Sequence, residues 1–178
     1  MSSSAVPELR LFPNDACRRR FLELVGEIAK RYKWRVRAYC LMTAHYDLLV
    51  TTVEPTISDG MRDLNGRYAR WYNRERGRRG HVFGARFQDE VVRTGSHLLE
   101  CVRYISLNPV RAGMCNSPRR YPWGSYPALV GIRPPPTFLR AAPILQRMGR
   151  DRATAIARLR GFVETTAWPG GCGLALAA

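Results

Sequence analysis

Two stretches, WRVRAYCL at 34–41 and HYDLLVTTV at 45–53, confine what this chain can fold into. In the first, Trp34, Val36, Ala38 and Cys40 alternate with Arg35, Arg37 and Tyr39, the period of a strand with one half-buried face. Only Met42, Thr43 and Ala44 separate it from the second, so the two read as an antiparallel hairpin. Alternation along the second strand sends His45, Asp47, Leu49 and Thr51 to one face and Tyr46, Leu48 and Val50 to the other. His45 and Asp47 therefore stand side by side where that strand begins. An imidazole and a carboxylate two residues apart can grip a divalent cation from one direction, or can form a plain hydrogen-bonded His-Asp pair. The spacing leaves both open.

Helices surround the hairpin. Asn14-Asp15 offers an N-cap for a helix over 16–32, in which Phe21, Leu22, Val25, Ile28, Ala29 and Tyr32 oppose Arg18, Arg19, Glu23, Glu27 and Lys30. Pro55 closes the hairpin, and Thr56 or Ser58 opens a long helix to about Arg76 with Met61, Leu64, Tyr68, Trp71 and Tyr72 as its buried stripe. Residues 81–93, HVFGARFQDEVVR, read as a strand with Gly84 at a bulge or a close backbone approach. Another helix starts at Thr94 or Ser96, carries the apolar stripe Leu98, Cys101, Val102 and Ile105, and is expected to stop at Asn108-Pro109. Beside that stripe runs a narrower one of His97, Glu100, Tyr104 and Asn108, so Tyr104 and Asn108 are neighbours one turn apart. A phenol and an amide so placed can act as a nucleophile beside a metal ligand or phosphate clamp; the bland alternative is an amphipathic tyrosine at the core's edge.

The order strand, strand, helix, strand, helix predicts an α+β fold, a ferredoxin-like antiparallel sheet with helices packed on one side. Residues 1–13 form a loose lead-in with a short strand at 9–12, so the sheet's first strand is expected short or missing. Residues 118–131, PRRYPWGSYPALVG, read as a packed surface loop, and Arg133-Pro134-Pro135-Pro136 as a stiff linker. Two short helices at 141–148 and 152–164 and a frayed tail at 170–178 complete a C-terminal extension. The expected division is therefore a domain over 1–131 and a linker with short helices over 132–178.

Charge points to a partner. The chain carries 29 basic and 14 acidic residues, net +15, and Lys30 and Lys33 are its only lysines. Arginine forks two hydrogen bonds onto a phosphate and stacks on bases, so nucleic acid is the partner this surface fits. From Arg67 to Phe87 basic and aromatic residues interleave, as in grooves that track a single strand, though a solvated helix face gives the same pattern. The cysteines, Cys17, Cys40, Cys101, Cys115 and Cys172, are scattered without a CxxC pair, which favours reduced thiols in a cytoplasm, near the nucleoid, over disulfides or a zinc knuckle. No segment has the length of apolar residues that a membrane span requires, so no membrane is expected.

The segments DACRRRFLELV, WRVRAYCLMTAHYDLLV, SDGMRDLNGRYARWYNRERGRRGHVFGARFQ, LLECVRYISLNPVRAGM and YPWGSY, in that order from Asn14 to Gly131, resemble the HUH single-tyrosine transposases, specifically their REP-associated tyrosine transposase branch. The resemblance implies single-stranded DNA cleavage and rejoining. It implies Tyr104 as the nucleophile leaving a 5′-phosphotyrosine link, and His45, Asp47 and Asn108 as ligands of Mg²⁺ or Mn²⁺, with no small-molecule cofactor. Single-stranded or hairpin DNA is the implied partner of a monomer or homodimer, with Arg67, Arg70, Arg78, Arg79, Arg86, Arg103 and Arg111 against its backbone. Three departures stand out: Asp47 where the family has its second histidine, MTA before His45 where Met-Pro-Asn is usual with Ser106 at a place often held by histidine, and a lead-in that hardly supplies the family's first strand. They support an alternative, a decayed or domesticated copy that binds single-stranded DNA without cutting it.

Overall fold

The hairpin forms as its alternation requires. In the computed structural model, which describes residues 1–165, β2 (Arg35–Leu41) pairs antiparallel with β3 (His45–Thr51), Cys40 opposite Asp47 and Leu41 opposite Tyr46, with a register shift between Val36 and Ala38. The tail expected at 170–178, with Cys172, lies outside the described residues.

The lead-in is not loose. Ser2–Ser4 forms β1, antiparallel to β3 with Ser2 opposite Asp47 and Ser4 opposite His45, which makes the order β1-β3-β2 and puts β3 in the centre. The strand expected at 9–12 is absent. Leu11 and Phe12 instead fold into the core, Phe12 lying edge-on to Phe21 at 5.2 Å. The Tyr68 and Tyr72 hydroxyls donate to the carbonyls of Leu11 (2.6 Å) and Arg10 (2.9 Å), so side chains satisfy groups that a ladder would otherwise have taken.

The strand expected at 81–93 also gives way to irregular chain, laid along the outer edge of β1. Ser2 and Gln88 exchange both backbone hydrogen bonds (2.9 and 3.0 Å), and the Gly84 amide donates to the Ser4 carbonyl at 3.2 Å. An edge strand of this length is thus covered rather than exposed. Gly84 is the close approach the sequence indicated: a Cβ there would lie 3.2 Å from the Ala5 oxygen and 3.3 Å from the Val6 Cα.

Helices cover both faces of the sheet. On β3, Tyr46 packs on Phe21 of α1 (Asp15–Arg31) at 4.4 Å between ring centroids and donates to Asn65 Oδ1 of α2 (Ile57–Glu75). These two helices share one side, as expected. Asp47, the next residue, points the other way, to α3 (Gly95–Arg111). Capping follows the sequence: Asn14 Oδ1 accepts from the Cys17 amide (3.0 Å) and Thr94 Oγ1 from the His97 amide (3.1 Å). Thr56 precedes α2 without a side-chain cap, its Oγ1 accepting instead from the Trp34 indole at 3.2 Å.

Asn108-Pro109 does not stop α3, which runs on to Arg111. So near the C-terminus proline removes a single hydrogen bond, and the turn closes by other means: Ala112 N reaches Asn108 O (3.0 Å), Met114 N reaches Pro109 O (2.8 Å), and Gly113 takes φ +66. Residues 118–131 hold a 3-10 turn, Pro118–Arg120, and the single-turn α4 (Tyr126–Leu129), tied to β2 by Tyr121 Oη donating to Leu41 O (2.6 Å) and the Tyr39 amide donating to Ser125 Oγ (3.0 Å). Then come α5 (Ala142–Met148) and α6 (Arg152–Glu164). α6 leans on α3: the Arg103 guanidinium lies 5.4 Å above the Phe162 ring and donates to the Thr165 carbonyl at 3.1 Å.

Candidate active site

The first residues of β3 and the last turns of α3 meet on the α3 side of the sheet. Asn108 Nδ2 donates to Asp47 Oδ2 at 2.6 Å and lies 3.4 Å from His45 Nε2, while His45 Nε2 and Asp47 Oδ2 are 3.9 Å apart. Strand alternation brings His45 and Asp47 to this face; helical periodicity turns Asn108 onto them. An amide 61 or more residues away in sequence thus shares one small space with the imidazole and the carboxylate.

Burial sets the site's electrostatics. Asp47 is 2% exposed and Asn108 8%. Desolvation pushes the Asp47 carboxyl above its ordinary pKa, with His45 and the Asn108 hydrogen bond opposing; desolvation pulls His45 below its ordinary value, with the Asp47 charge opposing. Among the described residues no lysine or arginine side chain pairs with Asp47. The positive charges acting on it are His45 and the N-terminal ammonium of Met1, and a carboxylate so buried is costly unless it is neutral or further positive charge offsets it.

A divalent cation fits this set by donor chemistry. One imidazole nitrogen, one carboxylate oxygen and, after an amide rotation, one Asn108 oxygen suit Mn²⁺ or Mg²⁺. No group of three or more His, Cys, Asp or Glu side chains among the described residues is arranged to hold a metal, so a third protein donor to such an ion would have to be the Asn108 amide.

Tyr104 stands one turn before Asn108, half-buried at the margin of the packed face. The Arg111 guanidinium lies 5.3 Å above its ring, and burial lowers the Arg111 pKa while Tyr104 opposes that shift. Ser106 stays out of the site, its hydroxyl donating back to the Val102 carbonyl at 2.7 Å.

The arginines expected against DNA fall in several places. Of these, Arg111 flanks the site. Arg67 and Arg70 lie on α2, across the sheet, where they form a patch with Arg20, Trp71 and Arg74; Arg67 also pairs with Glu27. Arg78 is half-buried and donates to Asn73 Oδ1 at 3.5 Å, whereas Arg79 and Arg86 are exposed, Arg86 beside β1. Arg103 is 5% exposed and held against α6, so it belongs to the packing between helices. One buried cation escapes strand periodicity: Arg37, which alternation puts on the polar face of its strand, is 8% exposed and is the extra residue at the register shift between Val36 and Ala38.

A small antiparallel sheet thus pairs a His-x-Asp strand with a tyrosine-bearing helix. The family model described as "Transposase IS200 like" matches residues 9–107, more than half of the chain, and the chain belongs to that family. Its fold is similar to a solved structure of a REP-associated tyrosine transposase bound to a REP hairpin, with a TM-score of 0.62 and 14% identity over 75% of this chain and 79% of that one. None of the curated proteins compared with it matches.

Proposed function

We propose that this protein binds hairpin-bearing single-stranded DNA and cuts and rejoins it through Tyr104. The observation that carries the reading is the convergence of Asn108 on His45 and Asp47 one helical turn from that phenol. In cleavage the Tyr104 oxygen forms a bond to the scissile phosphorus, the bond from phosphorus to the 3′ oxygen breaks, and the phenolic proton ends on the departing 3′-hydroxyl by way of solvent. The product is a 5′-phosphotyrosine, and attack by a 3′-hydroxyl reverses the step without ATP. A phenol of pKa about 10 is mostly protonated at neutral pH, so a positive charge near its oxygen matters. Arg111, stacked over the ring, favours the phenolate as it develops. His45, Asp47 and Asn108 would hold a divalent ion, which would supply Lewis acidity at the phosphate. In this reading residues 1–131 carry the chemistry, and the segment after residue 131 braces α3. A hairpin partner is supported by the similar fold of a transposase solved with one.

A second reading has its own support. Asp47 replaces a neutral ligand with an acid already bound to Asn108, which suits a protein that keeps DNA binding and has lost cutting. Incubation with labelled hairpin oligonucleotides and Mn²⁺ separates the two on a denaturing gel. The expected result is a covalent adduct that Tyr104→Phe abolishes while binding persists. Salt-sensitive binding with no adduct across a broad oligonucleotide pool overturns the enzyme reading and leaves the binder.

A further inference from the structure

A cleft of about 510 Å³ opens between the end of β3, the 89–95 segment and α5, and the chemistry proposed above does not use it. Its apolar wall is formed by Leu49, Val92 and Leu98. Its basic side is Arg37 from β2, Arg147 from α5 and Arg93 from the connecting segment, three arginines brought together from distant parts of the chain.

Arg37 is the informative member. Its Nε donates to Thr51 Oγ1 (3.1 Å) and one Nη to the Arg140 carbonyl (3.0 Å), which fix the guanidinium at the cleft; its other Nη has no partner among the described residues. Burial lowers its pKa, and the charged groups that act on it, Arg35 and Arg147, are both of its own sign and lower it further. Arg147 packs so close to the first residue of α3 that a Cβ on Gly95 would sit 3.0 Å from its Nε. Arg37, 8% exposed, and Arg147, a charge of the same sign that acts on it, cost folding energy at this cleft unless an anion offsets them. Asp89 and Glu90 also line the cleft, Glu90 being 3.2 Å from His97. Their presence disfavours an occupant that is anionic throughout, such as pyrophosphate. It suits one with a single phosphate and a ring edge bearing N–H donors.

The cleft also adjoins Asp47 of the candidate active site across a shared wall. A small void lined by Asp47, Cys101 and Ile105 shares Leu48, Leu49, Glu90 and Val92 with it. Along β3 from Asp47 to Thr51 is ~13 Å, about two to four nucleotides of a single strand.

We propose that this cleft is a nucleotide subsite: one base of the bound strand, a few nucleotides from the cut phosphate, leaves its neighbours and lies on Leu49, Val92 and Leu98, with its phosphate on Arg37 and Arg147. The inference rests on the single-stranded DNA reading above, and extends it to a position where the protein reads a base as well as the backbone.

The test uses the full chain carrying Tyr104→Phe, which binds without cutting, and an oligonucleotide it binds, altered one position at a time to an abasic site or to a neutral methylphosphonate. The expected result is one position near the cut at which either change weakens binding about tenfold, with both penalties falling to about twofold in Arg147→Ala. Leu98→Ala, with its fold checked by circular dichroism, should shrink the abasic penalty and leave the methylphosphonate penalty in place. A methylphosphonate penalty without an abasic one, or penalties unchanged by Arg147→Ala, overturns the subsite while DNA binding stands. Failure of the protein to bind any oligonucleotide overturns the proposed function itself.

Discussion

At the scale of single residues, the site depends on which groups carry charge when the cation arrives. Burial holds the His45 pKa below 6.5, so its imidazole is neutral at pH 7 with a lone pair to give. The folded-state pKa being depressed, protonation of the imidazole competes with the metal only as pH falls below that ordinary value. Mn²⁺ affinity measured by calorimetry should therefore fall as pH drops, because protons compete with the metal both at His45 and at Asp47, whose pKa burial raises. Asp47→Asn should weaken Mn²⁺ at least about tenfold, since it removes the one formal negative charge of the set, whereas Asp47→His should retain binding. A different residue tests the packing beneath. A Cβ on Gly60 would lie 2.1 Å from Trp34 Cζ2, and the indole is pinned by its hydrogen bond to Thr56. Gly60→Ala gains about 1 kcal/mol of helix propensity but must displace that ring, for a net loss of about 2 kcal/mol, read as a melting temperature lower by about 4–8 °C. At this scale the site is legible in the sequence because each of its residues sits in an element of regular period. Arg37 is not, because the register shift between Val36 and Ala38 interrupts the alternation at that residue.

At the scale of elements, the same contrast explains which parts of the fold can be read. The hairpin and the three long helices follow from periodicity, with caps at the starts of α1 and α3, and both signals are local. The 2–4 strand and the 82–88 edge chain do not: Ser2, Ser3 and Ser4 carry no strand propensity, and they pair because β3 offers a free edge. The end of α3 departs from expectation for a related reason. Pro109 lacks the N–H that would reach the Ile105 carbonyl in the turn before it, a loss α3 tolerates with only two helical residues to follow before Gly113 closes the end. The bracing of α3 by α6 is likewise a tertiary fact. Phe162→Ala removes the ring beneath Arg103 and should cost about 2 kcal/mol of stability. Because Arg103 immediately precedes Tyr104, hydrogen exchange should also rise over residues 101–108, while exchange in α1 and α2 stays as before.

At the scale of the whole molecule, the positive charge is spread over both layers while His45, Asp47 and Asn108 are confined to one. The Arg20, Arg67, Arg70, Arg74 patch lies on the α1 and α2 side, and His45, Asp47 and Asn108 face α3 across the sheet. A single strand that touched both would have to wrap the sheet's edge, a path flanked by exposed Arg79 and Arg86. Arginines that meet only the DNA backbone add affinity through release of counterions and carry no sequence information, so they should be separable from cutting. Replacing Arg70 and Arg74 together with alanine should weaken all oligonucleotides alike and flatten the plot of log affinity against log salt by about 1.4, near 0.7 for each phosphate no longer neutralised. At saturating DNA the yield of covalent adduct should not change. Arg111→Ala should do the opposite: the salt slope changes by only about 0.7, but the adduct drops about tenfold or more even at saturation, because the charge beside the nucleophile is gone. If both variants lowered affinity and adduct in the same proportion, patch and site would be one surface, and the two-layer separation would have no functional meaning.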